Sequence, residues 1–458
     1  MRKNRNKVHA LPFGKPRGEI YNEERWTTVG LLCVLYAISF VDRLIIALIV
    51  DPLKADLGLS DVQVGLLFGL GFALLYTICG IPIAHLVDRG NRRQILLCGV
   101  LLWSSTTLLA AFAQSYVVLL CSRAGVAIGE AVLTPVAISM IADLFPRDRR
   151  SLPTSIYSMV GAVMGSGALI IGAAAVIAGG WLSSATDVAP WRLTLVIVAV
   201  PGFIAAGLFA YFVDEPSRRS EKDDRHSIAS LVHAARHAWE YRGIYISFFC
   251  GIGFMLGIAM SLIAWAPTYL VRDHGVTSAQ AGALFGLAAV SGSVLGTLSV
   301  TWVVRRMGGG RPEKGVVYAA IAYAALSGPV LALGIGMQDL MGVLLVIAIT
   351  MAGLSASAVL SPLLVQYITP AMMRARMVAL YLLLSGLLSL GLGPLLVSIL
   401  AQHAQINGGG LAGALGMTTW LALVFAMICF AIAARALSRL PDYGPGVLGS
   451  NGHAAESA

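Results

Sequence analysis

The chain has 458 residues, 57% of them hydrophobic, a mean hydropathy of +0.80 and only 12% charged residues. A soluble globular protein carries about 25% charged residues, so an ordinary water-soluble enzyme, a disordered chain and a nucleic-acid binder are excluded. At about 20 apolar residues per bilayer crossing, the length accommodates twelve crossings, short loops, two tails and one longer linker.

Apolar spans are predicted at 26–50, 63–84, 94–113, 117–141, 152–178, 191–213, 244–270, 278–304, 315–336, 340–366, 375–402 and 411–437. They describe an all-α integral membrane protein of twelve transmembrane helices. The basic residues set its orientation. Of 32 Lys and Arg, 27 lie in the N-terminal tail, the even-numbered loops and the C-terminal end, among them Arg25, Arg93, Arg219, Arg311 and Arg376. The other side keeps Lys54, Arg192 and Arg272, and Arg43 and Arg123 fall inside spans. The positive-inside rule then predicts that both termini are cytoplasmic. The net charge of +9 is mainly an orientation signal, with contact to anionic headgroups left open.

Cys33, Cys79, Cys98, Cys121, Cys250 and Cys429 all lie in apolar spans, with no CxxC or nearby His pair, so no disulfide framework or metal site is expected. The N-terminus lacks the apolar core and cleavage site of a signal peptide, and the first span is expected to be retained.

The chain repeats itself at an offset of 217 residues. Gly58-Leu-Ser-x-x-Gln63-x-Gly65-x-Leu67-Phe68-Gly69-Leu70 recurs as Gly275-Val-Thr-x-x-Gln280-x-Gly282-x-Leu284-Phe285-Gly286-Leu287, each copy entering a span from the outer side. Parallel six-span repeats are a mark of two-bundle transporters. The predicted organisation is a basic tail (1–25), a first six-helix bundle (26–213), a charged linker (214–243), a second six-helix bundle (244–437) and a C-terminal tail (438–458). Within the linker, Ile228, Leu231, Val232, Ala235 and Trp239 predict an amphipathic helix over about 227–241.

Four ionisable residues lie well inside spans: Asp42 and Arg43 in the first, Arg123 and Glu130 in the fourth. Each costs about 2.5–3.5 kcal/mol to insert, so they must face a wet cavity or one another. Arg123 and Glu130 lie about 10.5 Å apart on one helical face. Counted from the outer edge, Asp42 is about 12 Å deep, Arg123 about 9 Å and Glu130 about 20 Å. Asp42 is therefore expected to reach Arg123, in a pair made or broken as the bundles move. Glu130 is expected at the midplane without a partner, which is the condition for a proton carrier. A purely structural ion-pair network is the alternative, stronger for Asp42–Arg123 than for Glu130. The second bundle offers only Ser, Thr, Gln366 and aromatic groups inside its spans. Among the aromatics, Trp265 and Tyr367 are candidate substrate contacts beside Asp42, Arg43, Arg123 and Glu130.

Several motifs are similar to those of the major facilitator superfamily. Ala84-x-x-x-Asp88-Arg89-Gly90-Asn91-Arg92-Arg93 resembles its cytoplasmic loop motif, with Ala84 and Asn91 standing where the usual form has Gly. Arg123-x-x-x-Ala127-x-Gly129-Glu130-Ala131 and Gly161-x-x-x-Gly165-x-Gly167 resemble its fourth-span and fifth-span motifs. Asp42-Arg43-x-x-Ile46-Ala47, the Asn91 variant of the loop, and Ile141-Ala-Asp143-Leu-Phe145 resemble the spinster-like branch. The superfamily likeness spans about 26–437, and the spinster features are concentrated in the first half.

The resemblance implies a solute carrier working by rocker-switch alternating access. It also implies a cytoplasmic gate in which Asp88 meets a helix N-terminus of the second bundle while Arg89, Arg92 and Arg93 stay on the cytoplasmic surface. Eukaryotic spinster proteins carry lysolipids, and a charged first bundle facing an apolar second one suits a head-and-tail amphiphile. The expected function is proton-coupled secondary transport of an amphiphilic or lipid-like anion in a bacterial inner (cytoplasmic) membrane. Its partners are a proton, the amphiphilic solute and membrane lipids. No enzyme activity, cofactor, metal or nucleic acid is implied, and a monomer is expected. The alternative cargo is a small organic anion, sugar phosphate or drug. A lipid-modifying enzyme lacks a supporting HxxxD or carboxylate pair, and a channel is disfavoured by the two-bundle repeat.

Overall fold

The computed structural model describes residues 17–146, 149–218, 235–370, 373–406 and 410–439. Among them twelve helices are long and apolar enough to cross a membrane. In the first half these are α1 (Arg25–Leu48), α2 (Asp61–Arg89), α3 (Arg92–Ala111), α4 (Tyr116–Leu144), α5 (Ser151–Ser184) and α6 (Pro190–Phe212). In the second they are α7 (Tyr245–His274), α8 (Ser278–Gly308), α9 (Pro312–Gly334), α10 (Leu340–Ile368), α11 (Arg376–His403) and α12 (Gly410–Ser438). Each matches an expected span. The helices α2 and α5 run on beyond the apolar stretch, because a helix ends at its cap and not where its hydropathy falls. Most of the expected linker helix falls on 219–234, outside the described residues, and 235–240 is helical.

The internal repeat is a pair of matched helix boundaries. Gly58 and Gly275 adopt φ of 64° and 66°, the left-handed conformation that closes a preceding helix without a Cβ penalty. Two residues on, Ser60 and Thr277 each accept a hydrogen bond from the backbone N–H of Gln63 and Gln280. The glutamine side chains return the bond to the cap N–H at 2.9 and 3.0 Å. Both are capping boxes.

The remaining repeat glycines lie where the bundles cross. A Cβ on Gly65 would come within 2.3 Å of the Ser398 hydroxyl on α11, and one on Gly282 within 2.8 Å of Leu48. Gly69 abuts the Gly391 carbonyl and Gly286 abuts Ile170. So α2 packs on α11 and α8 on α5 through equivalent small residues. Both helices of the first pair break regularity there. Gly69 has ψ of −105°, and Leu387–Leu392 of α11 forms a π-helical turn.

These crossings lie toward the end that carries Lys54 and Arg272, away from the arginine-rich loops. That end is also fastened by charge. A short helix, Val50–Leu57, follows α1. From α7 of the other bundle, Arg272 donates to Asp51 at 2.6 and 3.0 Å and to Asp61 at 3.2 Å. Lys54 also binds Asp61, and Arg192 holds Asp56 at 2.9 Å.

A half-exposed ion pair contributes up to about 1 kcal/mol, which is about a fivefold change in an equilibrium. Arg272→Gln should therefore open this end. In a background lacking the native cysteines, a cysteine at Leu169, buried behind the Gly282 contact, should label about fivefold faster. An unchanged rate would show that the latch does not hold the end shut.

Candidate functional site

The four intramembrane ions come together in the first bundle, in an order different from that expected. At Ile45–Leu48 the α-helical part of α1 gives way to a 3-10 turn. Just before that changeover, Arg123 of α4 donates to the Asp42 and Arg43 carbonyls at 3.4 and 3.1 Å. Its guanidinium approaches the Asp42 carboxylate only to 3.9 Å. The Asp42 oxygens instead accept from the Thr107 hydroxyl of α3 at 2.8 and 2.6 Å. Arg123 thus works more as a clamp on the α1 backbone than as a close partner of Asp42.

Glu130 has a partner, contrary to expectation. Arg43 donates to Glu130 Oε2 through Nε at 3.0 Å and Nη2 at 2.6 Å. The two side chains lean toward each other. Each Cα–Cβ bond tilts toward the start of its own helix, and α1 and α4 run in opposite directions. Counting Cα depth alone left a gap that the side chains close. Around the Arg43 guanidinium stand the rings of Phe72, Tyr76 and Phe40, at 4.9, 5.2 and 5.4 Å, in cation–π range. Tyr36 stacks on Tyr157 with ring centroids 4.5 Å apart, and the Tyr157 hydroxyl lies 3.4 Å from Thr134.

Accessibility separates the four ions. The side chains of Glu130, Asp42 and Arg123 are 1%, 2% and 6% exposed, whereas that of Arg43 is 20% exposed. Arg43 is the most exposed member of the group. Sequence reasoning missed its aromatic surroundings, though a signal existed. Tyr36, Phe40 and Arg43 follow at helical spacing on one stripe of α1, as Phe72 and Tyr76 do on α2.

Trp265 is fully buried, with its indole N–H donating to the Pro394 carbonyl at 2.9 Å and its ring edge-on to Phe68. In this state it braces the bundle crossing and offers a solute no surface. Tyr367 is half-buried near the arginine-rich end of α10.

The loop motif also differs from expectation. Asp88 and Arg89 are exposed, but Arg92 is 1% exposed and lies inside the first bundle. It pairs with Asp143 at the end of α4 and with Glu215 after α6 at 2.8 Å, and donates to the Pro216 carbonyl at 2.6 Å. Arg93 binds the same Glu215 through its backbone N–H at 2.7 Å and the Ala210 carbonyl through its guanidinium. Asn91 caps α3 by accepting from the Gln94 N–H at 2.9 Å, a task open to Asn that Gly performs less well. The arginine of one motif and the aspartate of another thus form one buried pin within the bundle.

Residues 32–394 match the family model of the Major Facilitator Superfamily. An MFS-type efflux pump of Mycolicibacterium smegmatis is 27% identical over 422 residues, 90% of this chain and 94% of the pump. The protein spinster homolog 1 of Xenopus tropicalis is 26% identical, over 83% of this chain and 73% of its own. Among solved structures, a bacterial homologue of the human lysosomal transporter spinster, inward-facing and unoccupied, superposes with a TM-score of 0.78. It is 27% identical, over 90% of this chain and 97% of that one.

Breaking a buried ion pair from one side costs about 3–5 kcal/mol. Arg92→Gln should accordingly lower the thermal unfolding temperature of the purified protein sharply, while Asp88→Asn leaves it nearly unchanged. Equal effects would mean that the two residues do not divide into a pin and a free surface carboxylate.

Proposed function

Because the chain belongs to the Major Facilitator Superfamily, we propose that it moves an amphiphilic anion by proton-coupled alternating access, with Arg43 shared between Glu130 and the solute's head. The observation that carries this reading is the Arg43–Glu130 pair, in which the carboxylate is 1% exposed and its arginine 20% exposed. An arginine fork suits phosphate and carboxylate heads. A head that takes Arg43 leaves Glu130 buried without its counter-ion. Leaving a buried charge unpaired costs several kcal/mol, so Glu130 takes up a proton as the anion binds. Proton and solute then favour each other's binding.

The remaining roles follow from position. The uncharged interior of the second bundle, with Tyr367 at its half-buried edge, receives the alkyl portion. By the positive-inside rule both termini lie in the cytoplasm of a bacterium, in its cytoplasmic membrane. The arginine-rich end is then the open, cytoplasmic one, in keeping with the likeness to an inward-facing relative. Asp88, exposed here, is left to meet the second bundle when that end closes. Arg89 stays at the surface, and Arg92 and Arg93 support the loop from within. Likeness to spinster proteins supports a lipid-like cargo. Likeness to an efflux pump supports the rival, a small organic anion, sugar phosphate or drug.

Glu130→Gln keeps a neutral side chain beside Arg43. Gradient-driven uptake into proteoliposomes should be lost, while anion binding becomes tighter and independent of pH. Undiminished gradient-driven transport would reject Glu130 as the proton site. The cargo is decided by a lysophospholipid series. At about 0.8 kcal/mol per buried methylene, affinity should rise about fourfold per carbon until the cavity fills. A flat response, with tight binding of a tail-less sugar phosphate, selects the rival.

A further inference from the structure

A cavity of about 500 Å³ lies at the Lys54 end of the second bundle, between the ends of α7 and α9 and the start of α12. It lies apart from the central ions, and none of them lines it. Its polar wall comes from α7: Tyr269, Asp273 and His274, with Gln338 opposite. The Tyr269 hydroxyl donates to the Ile335 carbonyl, which commits its only proton. The His274 Nε2, 2.9 Å from the same oxygen, must therefore be the donor in that contact. In the neutral ring this leaves Nδ1 as an acceptor. Beside it the Asp273 carboxylate makes no ion pair among the described residues, because neighbouring Arg272 turns away to Asp51 and Asp61. No Lys or Arg lines the cavity. Its polar end thus collects acceptors and a negative charge and asks for a cation rich in N–H donors.

The other wall is apolar and open. Leu333, Met417 and Trp420 line it and are 74%, 55% and 42% exposed on the bundle's flank. A Cβ on Gly336 or Gly413 would meet nothing within 4 Å, so the space runs down to the backbone. A soluble amine has no use for such a flank, and a quaternary ammonium has no N–H for the acceptors.

We propose that this cavity binds the primary-ammonium head of a phospholipid of the ethanolamine class, with Asp273 and His274 receiving its N–H groups. The acyl chains lie along Leu333, Met417 and Trp420. The proposal rests neither on the transport reading nor on which side of the membrane this end faces.

The test uses the full-length protein in nanodiscs containing equal phosphatidylethanolamine and phosphatidylcholine, with retained lipid counted by native mass spectrometry. A charge-assisted hydrogen bond that only the ethanolamine head makes corresponds to about a tenfold enrichment of that lipid. Asp273→Asn, at an exposed position, should bring the ratio to about one. Gly413→Leu should do the same by filling the space. Glu130→Gln should leave the enrichment intact, which separates this site from the central one. No enrichment in the natural protein, or the same enrichment in both cavity variants, would overturn the proposal. So would soluble ethanolamine raising the unfolding temperature in phosphatidylcholine discs as much as the lipid does, since that assigns the site to a free amine.

Discussion

The cost of holding charge inside an apolar bundle governs this molecule. Four ions lie within the membrane-spanning part of the first half, and each must be compensated where it stands. Three of them are almost wholly buried and each has its own partner. Asp42 is met by the Thr107 hydroxyl, Arg123 by two backbone carbonyls, and Glu130 by Arg43. Arg43 is different, because its compensation is an aromatic ring set and one carboxylate, and it alone of the four is partly exposed. In the proposed cycle that exposure lets an anion take the place of Glu130. A network that only locked helices would bury all its members alike, and here one arginine is left in reach.

The two halves meet through two kinds of surface, and the difference suits a moving joint. Toward the Lys54 end the contact runs through glycines, with Gly65 facing Ser398, Gly69 the Gly391 carbonyl, Gly282 Leu48 and Gly286 Ile170. On the glycine side such a surface has no side chain to repack when one helix tilts on another. At the rim the contact is ionic, through Arg272, the exposed carboxylate of Asp51 and the buried one of Asp61, which also holds Lys54. Separating those charges exposes them to solvent and strands none of them, so the latch is reversible at low cost. A hydrophobic rim of the same size would resist opening far more.

Much of this was legible beforehand, and the limits have physical reasons. Spans and the repeat are local signals, carried by apolar length and by cap residues such as Gly58, Ser60 and Gln63. Both survived folding unchanged. Asp42 and Arg123 were correctly placed at one depth, yet their closest contacts are to Thr107 and to backbone, which no charge count reveals. The Arg43–Glu130 pair was missed because depth was measured along Cα positions while the side chains lean across the gap. Arg92 was expected at the surface because its motif is a loop motif. Its burial depends on Glu215, which in the sequence belongs to a charged, solvated-looking linker. Trp265 sits on a helix that faces the bundle interface, but which side of α7 it occupies was set by packing against Pro394 and Phe68.

One consequence bears on how coupling works in the proposed cycle. Asp42, Arg43, Arg123 and Glu130 all belong to the first bundle, so rigid-body rocking of the halves neither makes nor breaks a pair among them. The expectation of a pair that opens as the bundles move is therefore replaced. A proton on Glu130 acts on the net charge that the first bundle presents to the space between the halves. With Glu130 protonated and Arg43 free, or with Arg43 carrying an anion and Glu130 charged, closure buries an uncompensated ion. With the anion on Arg43 and a proton on Glu130, or with neither ligand and the pair intact, the same closure buries a neutral set. Only these two balanced states cross the barrier readily, since a ligand shifts an equilibrium only by its differential affinity for the two forms. Obligatory coupling then requires no moving ion pair, only a second bundle that supplies no charge of its own. Among the described residues, the interior of α7 to α12 meets that requirement.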